Sequence, residues 1–160
     1  MPFLIDGHNL LWSVQQADTH AEPLTDIQLC RLIACYLRVV GDSAQVVFDG
    51  PGPRDKADFD NIAGVEVIFA GPAADADTVI ENKLRADSAS RRLTVVSSDR
   101  RLRAAARARK AAAVKSDVFL DTVSRALTHS TKSRKEPVQK RQGLTSAETD
   151  QWLDFFGLGR

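Results

Sequence analysis

Acidic residues at the ends of apolar runs mark where this chain could do chemistry. Phe3-Leu4-Ile5 ends in Asp6, Val46-Val47-Phe48 ends in Asp49, and Leu93-Thr94-Val95-Val96-Ser97-Ser98 ends in Asp99. Each run suits a short strand buried on both faces. An ionised carboxylate at such a strand end needs a cation or hydrogen-bond donors, because burying it unpaired is costly. Gly7 allows a sharp turn and close backbone approach behind Asp6, and Asn9 is near enough in sequence to orient it. A second group, Asp77 and Glu81, lies four residues apart on a predicted helix and so on one helical face. Like charges at that spacing repel by a few tenths of a kcal/mol, and a cation between them reverses the sign. Taken alone, Asp6 also fits an Asx turn, and Asp77 and Glu81 fit ordinary acids at a helix N-terminus.

The elements that must position these groups alternate. After the first strand, residues 13–23 are polar and read as a link, with His20 a solvated loop histidine. Thr25 or Asp26 caps a predicted helix over residues 26–40 that Gly41 stops, with Ile27, Leu29, Cys30, Leu32, Ile33 and Leu37 on its apolar face. Residues 45–48 form the second predicted strand and 65–70 the third, separated by the Gly50-Pro51-Gly52-Pro53 loop. Asp75 or Asp77 caps a helix to about residue 89, and the fourth strand follows. The Ala- and Arg-rich stretch 100–110 is a helix by propensity. Ala113-Val114 is a short fifth strand, and Asp117 opens a helix to about residue 127 with Val118, Phe119, Val123 and Leu127 facing the core.

Strand and helix in turn imply a three-layer α/β/α sandwich around a mainly parallel sheet. Right-handed crossovers place the strand ends on one edge. Asp6, Asp49 and Asp99 are then expected in one crevice, with Asp77 and Glu81 entering beside them from a helix N-terminus. Such a cluster cannot stay fully ionised without counter-charge. Oxygen donors of this kind suit Mg²⁺ or Mn²⁺ rather than zinc. A divalent ion so held can activate water and stabilise a leaving oxyanion in phosphodiester cleavage. Other phosphate chemistries fit less well: there is neither a GxxxxGK[ST] loop nor a GxGxxG after the first strand. Ser97 and Ser98 lie in no nucleophile elbow, which sets acyl transfer aside; Ser98 is better placed to bond a carboxylate or a phosphate.

The chain's 160 residues, 43% hydrophobic and 27% charged, fit one globular domain with a tail. The division expected is a domain over residues 1–128, a basic linker over 129–144 broken by Pro137, and a C-terminal amphipathic helix over 145–160 carrying Trp152, Phe155 and Phe156. The formal net charge of +1 conceals segregation, with bases clustered after residue 91 and again in the tail. That asymmetry points to a polyanionic partner. Cys30 and Cys35 lie on different faces of one predicted helix, which argues for small core residues in a reducing compartment. No apolar run is long enough to cross a bilayer and no leader is evident, so a cytoplasmic protein without membrane contact is expected.

The blocks around residues 4–10, 47–50, 64–69, 76–81 and 95–100, in that order, resemble the YacP-like NYN domain family of the PIN-like nuclease superfamily. The resemblance covers about residues 2–127. It implies a metal-dependent endoribonuclease with an acidic active site, acting on RNA in the bacterial cytoplasm; with the Mg²⁺ or Mn²⁺ chemistry above, the function expected is cleavage of single-stranded RNA at the acidic cluster. Some members act in association with ribosomes, so a ribosomal partner comes with the resemblance. By position, Asp6, Asp77 and Asp99 match the metal-binding acids, Asn9 the asparagine after the first strand, Asp49 the second strand-end acid, Glu81 the helix acid and Ser98 the small polar residue before the last acid. His8 stands where the family commonly has Tyr, and Ala111 near where it tends to have Gly before its last strand.

A phosphodiester substrate needs positive charge around such a centre. Arg54 after the second strand, and Arg100 and Arg103 beside the last acid, are the nominated RNA-binding residues. Arg91, Arg92, Arg101, Arg107, Arg109 and Lys110 thicken the same stretch, and the linker bases add salt-sensitive affinity. Few aromatics are expected at the surface, which predicts little base readout. The alternatives are a non-catalytic RNA- or ribosome-binding module of the same fold and an interaction module working through the Trp152 helix. A pure RNA binder gains nothing from massed negative charge.

Overall fold

The structure is a computed structural model that describes residues 2–17 and 22–133, with the backbone alone for 131–133. Strand β1 (Phe3–Asp6) is followed by helices α1 (Gly7–Ala17) and α2 (Asp26–Val40). Strand β2 (Ala44–Phe48), the short α3 (Ala57–Asp60) and β3 (Val65–Phe69) come next, then α4 (Ala76–Ala86). After a single 3₁₀ turn at Ser90–Arg92, the chain closes with β4 (Thr94–Val96), α5 (Arg100–Ala108), β5 (Ala112–Val114) and α6 (Ser116–Ser133).

The sheet has the order β3-β2-β1-β4-β5 and every strand pairing in it is parallel. Strand pleating sends alternate residues to opposite faces, which builds two cores. On one face Ile5, Val46, Phe48 and Val96 pack against Leu10 and Val14 of α1, Ile33 and Leu37 of α2, and Phe119 and Val123 of α6. On the other, Leu4, Val47 and Val95 pack against Ile80 and Leu84 of α4 and Leu102 and Ala106 of α5. This is the three-layer sandwich expected from the sequence. Asp6 is two residues from Leu4, so parity turns it toward the α4/α5 layer.

Helix α2 follows its sequence signals. Thr25 and Gln28 form a reciprocal capping box, and Gly41 ends the helix in the left-handed conformation (φ 69°) with its N–H on Leu37 O. The turn before β5 is made by Lys110 at φ 60°, a left-handed conformation that glycine adopts more readily than a residue with a side chain.

Three expectations differ from what is observed. The polar link expected over 13–23 is largely helix: α1 starts directly at Gly7 and runs to Ala17, held by Leu10, Leu11 and Val14 on its inner face. Its cap is Asp6, whose Oδ1 accepts from Asn9 N at 3.1 Å. Val118 is 52% exposed rather than core, and Leu120 takes the buried position beside Phe119. Helix α6 continues past residue 127 to Ser133, through the start of the expected linker. His20, the remainder of that linker and the Trp152 segment lie outside the described residues.

Candidate active site

The strand order reverses direction between β1 and β4. The chain leaves β1 toward β2 on one side and leaves β4 toward β5 on the other. The carboxyl ends of two such diverging strands open a crevice, the usual ligand site of an open parallel sheet. Asp6 and the Ser97-Ser98-Asp99 segment border it.

Asp6 is 6% exposed. Its Oδ1 accepts from Asn9 N, and its Oδ2 accepts from Ser97 Oγ at 3.1 Å. Hydrogen bonds to a charged group contribute about 1.5–3 kcal/mol each. Burial outweighs them nonetheless: desolvation, with help from the Asp49 charge, pushes the Asp6 carboxyl above the usual range. Ser97 Oγ also accepts from Asp99 N at 3.1 Å, so one buried hydroxyl links two of the acids.

A second layer of bonds fixes the crevice walls. Asn9 Oδ1 accepts from Ser98 N at 2.9 Å and from Ser116 Oγ at 2.7 Å, and Ser116 N donates to Ser98 Oγ at 3.2 Å. Asn9 therefore orients Asp6 through its main chain and spends its side chain on pinning the β4 end to the start of α6. Ser98 Oγ accepts from Ser116 N and bonds no carboxylate among the described residues, whereas Ser97 bonds Asp6. Parity explains the exchange, because Ser97 shares the face of Val95 and Asp6 and Ser98 does not. Ser116, which no local sequence signal marks, is fully buried in the same network.

Asp49 reaches across to the helix that carries Asp77. Its Oδ1 accepts from Ala76 N at 2.7 Å, in the first turn of α4, while Asp75 caps the same helix through Thr78 N at 2.7 Å. Asp49 N donates to His8 Nδ1 at 3.1 Å. That bond needs the lone pair on Nδ1, so the 3.3 Å approach of Asp49 Oδ2 to the same nitrogen is a contact and not a second hydrogen bond. His8 Nε2 then carries the ring proton, pointing away from Asp49.

Asp77 is half-buried and accepts no hydrogen bond from any described residue. Burial raises its carboxyl pKa, and the charges of Asp6, Asp99 and Asp75 raise it further, against a smaller pull from Arg101. Glu81, one turn along α4, is instead neutralised: Arg101 Nε donates to its Oε1 at 2.6 Å and holds its carboxyl below the usual range. Asp99 Oδ1 caps α5 through Arg101 N at 2.6 Å and Leu102 N at 3.1 Å, which leaves Oδ2 without a described partner. The Asp49 charge thus acts on Asp6, and the Asp6 and Asp99 charges act on Asp77. Among the described residues, however, no three of His, Cys, Asp or Glu are gathered closely enough to form a ready ligand cage.

The arginines divide by their place along the elements. Arg91 and Arg92 precede β4 and sit at the amino edge of the sheet, away from the acids. Arg109 is spent on main-chain carbonyls of Leu84, Arg85 and Asp87. Arg107 and Lys110 lie at the far end of α5. Arg100, Arg101 and Arg103 remain at the crevice end. Arg100 is exposed, Arg101 is taken by Glu81, and Arg103 carries a buried Nε with no hydrogen-bond partner. Arg54 is exposed in the loop after β2 and bonds to none of the acids.

An all-parallel five-stranded sheet between two helical layers, with acids at its central switch point, is an open α/β fold, and a PIN-like nuclease fold is what its family match implies for it. The YacP-like NYN domain family matches over residues 3–154, and the chain belongs to that family. The crystal structure of Rae1 (YacP) from Bacillus subtilis is similar to it with a TM-score of 0.65 and 22% identity, over 83% of this chain and 79% of that one. A tryptophan-to-leucine mutant of the same Bacillus subtilis protein matches with a TM-score of 0.61 and 23% identity, over 84% and 86%. At such identities the likeness is one of fold. No functionally curated protein matches the chain. NYN nuclease domains are in general divalent-metal dependent, and no helix among the described residues is long and apolar enough to cross a membrane.

Proposed function

We propose that this chain is a Mg²⁺- or Mn²⁺-dependent endoribonuclease that cleaves single-stranded RNA at its acidic crevice. The observation that carries this reading is Asp77: a half-buried carboxylate without a hydrogen bond, made harder to ionise by Asp6 and Asp99. The dipole at the start of α4 offsets only part of that opposition. A hard cation beside it removes both the repulsion and the missing partner. The donors fit that ion, because Asp6, Asp77 and Asp99 offer only carboxylate oxygen and both Asp77 oxygens and Asp99 Oδ2 are unspent. When bound there, a divalent ion supplies Lewis acidity toward phosphoryl oxygen and a lowered pKa for its water.

The chain's own groups set the rest. Ser97 and the Asn9 main chain hold Asp6 in one orientation. Asp49 and Asp75 fix the start of α4 and hence the position of Asp77. Glu81, occupied by Arg101, keeps that guanidinium at the crevice end of α5. Arg100, Arg103 and Arg54 supply cationic contacts for the RNA backbone. Asn9 and Ser98 keep β4 and α6 together under the site. A ribosomal setting for the RNA is part of the proposal and rests on the family alone.

Asp6→Asn tests it. The variant is expected to keep the fold and RNA binding and to lose at least about 100-fold in cleavage rate, the scale on which removing one electrostatic element of an active site acts. Excess EDTA should stop the wild type and Mn²⁺ restore it. Wild-type cleavage by Asp6→Asn, or full activity in EDTA, refutes the assignment. RNA binding by the wild type with no turnover in any metal returns the chain to the binding-module reading.

A further inference from the structure

Helix α1 leaves the acidic edge with an outer surface unlike any other helix there. None of its 11 residues is Asp, Glu, Lys or Arg. Leu10, Leu11 and Val14 face the core, and the outer side carries His8, Trp12, Gln15 and Gln16, all exposed. Trp12, at 56%, is the most exposed large apolar side chain among the described residues. Among the described phenylalanines, tyrosine and tryptophan it is the one that is exposed, so the few surface aromatics expected reduce here to a single residue. Trp12 lies six residues beyond Asp6, about 9 Å along the helix axis, and one turn beyond His8 on the same face.

Across the crevice the character inverts. Helix α5 starts with Arg100, Arg101 and Arg103. The edge thus has a neutral aromatic and amide wall on one side of the sheet and a cationic wall on the other. Single-stranded RNA has the same two sides, flat uncharged bases and a charged backbone. We propose that Trp12 is a base-stacking platform, on which a nucleobase next to the scissile phosphate lies while the backbone runs toward Arg100 and Arg103. This rests on the nuclease reading of the crevice. An indole offers a π-face to any base, so the contact selects single-stranded over paired RNA without selecting sequence. Duplex bases are stacked on one another and cannot present a face to it.

The test uses full-length Asp6→Asn protein, so that binding is read without cleavage, with Trp152→Phe added so that Trp12 is the sole tryptophan. A short oligoadenylate in Mg²⁺ buffer is the probe. Binding should quench Trp12 fluorescence. Trp12→Ala should weaken affinity by roughly 5- to 150-fold, the range of one base–aromatic stack. Trp12→Phe should recover most of that loss, and an abasic oligonucleotide should bind the parent and Trp12→Ala alike. Equal affinity of Trp12→Ala and the parent for oligoadenylate, binding without quenching, an alanine loss that persists on the abasic strand, or no binding by the parent each overturns the proposal. Turnover is scored separately: wild-type cleavage by Asp6→Asn would sink the nuclease assignment, and the same binding comparison repeated in EDTA would still decide the stacking.

Discussion

Asp77→Asn should stabilise the metal-free protein while removing its response to metal. In chelator at neutral pH, Asp77 carries a charge that burial and three neighbouring acids oppose. Its folded pKa lies above its unfolded value, so between those two values the native state binds more protons. Stability therefore falls as pH rises through that window, and the full penalty is present above the raised pKa. Below the unfolded value both states are protonated and the penalty is gone. The asparagine removes it at every pH. Asp77 is only half-buried, so solvent screening limits the gain to about 0.5–1 kcal/mol at low ionic strength. For a chain of this size that is about 1–4 °C in Tm. The assay is a thermal melt in EDTA and low salt near pH 7 and again near pH 4, followed by a Mn²⁺ titration. Mn²⁺ should raise the wild-type Tm by mass action and leave the variant nearly still. A lower Tm for Asp77→Asn in EDTA at neutral pH, or a gain as large near pH 4 as near pH 7, refutes the account of an unrelieved charge cluster.

Gly7→Ala should destabilise by about 1–3 kcal/mol, the usual cost of overpacking, because a Cβ there would sit 2.4 Å from the buried Phe48 ring; a lower urea midpoint at unchanged m-value checks it, and an unchanged midpoint refutes it. Deleting residues 134–160 removes Arg134, Lys135, Lys140, Arg141 and Arg160 and should flatten the salt dependence of RNA affinity by about 0.7 in log–log slope for each phosphate those side chains neutralise; an unchanged slope shows that the tail touches no phosphate.

What the sequence discloses of this fold follows from what local pattern can carry. Apolar runs closing in Asp or Asp-Gly locate β1 and β2, and Thr25 or Asp26 with Gly41 bound α2 to within one residue at its start. Helix α1 carries no such signal because its cap is a strand residue. Asp6 ends β1 and caps the next element at once, which leaves no linker to announce a helix. Ser97 cannot be told from Ser98 in the sequence because β4 has only three residues, too few for parity to show which serine faces Asp6. Ser116 reaches Asn9 across the whole domain, a pairing no local signal holds. The arginine stretch is uniform in sequence, yet a helix has two ends. Only Arg100, Arg101 and Arg103 start at the crevice, whereas Arg109 closes the carbonyl end of α4.

The acids of the crevice are held unequally, and that difference has a physical consequence. Asp6 accepts bonds on both oxygens from groups that are themselves buried and bonded. Its position is set by β1, α1 and β4 together. Asp77 is held by its helix alone and Asp99 through one oxygen. A site with every carboxylate fixed at close range would cost heavily in repulsion before any ion arrived. One with none fixed would lose the ordering entropy of all its side chains on binding. Fixing one carboxylate in a buried hydrogen-bond network, and leaving its neighbours unspent and a little apart, lowers both costs. On that reasoning Ser97, which the sequence did not nominate, sets the position of the one carboxylate that is bonded on both oxygens. Among the described residues it is the side chain bonded to two of the acids, and it lies at the register where the end of β4 faces Asp6.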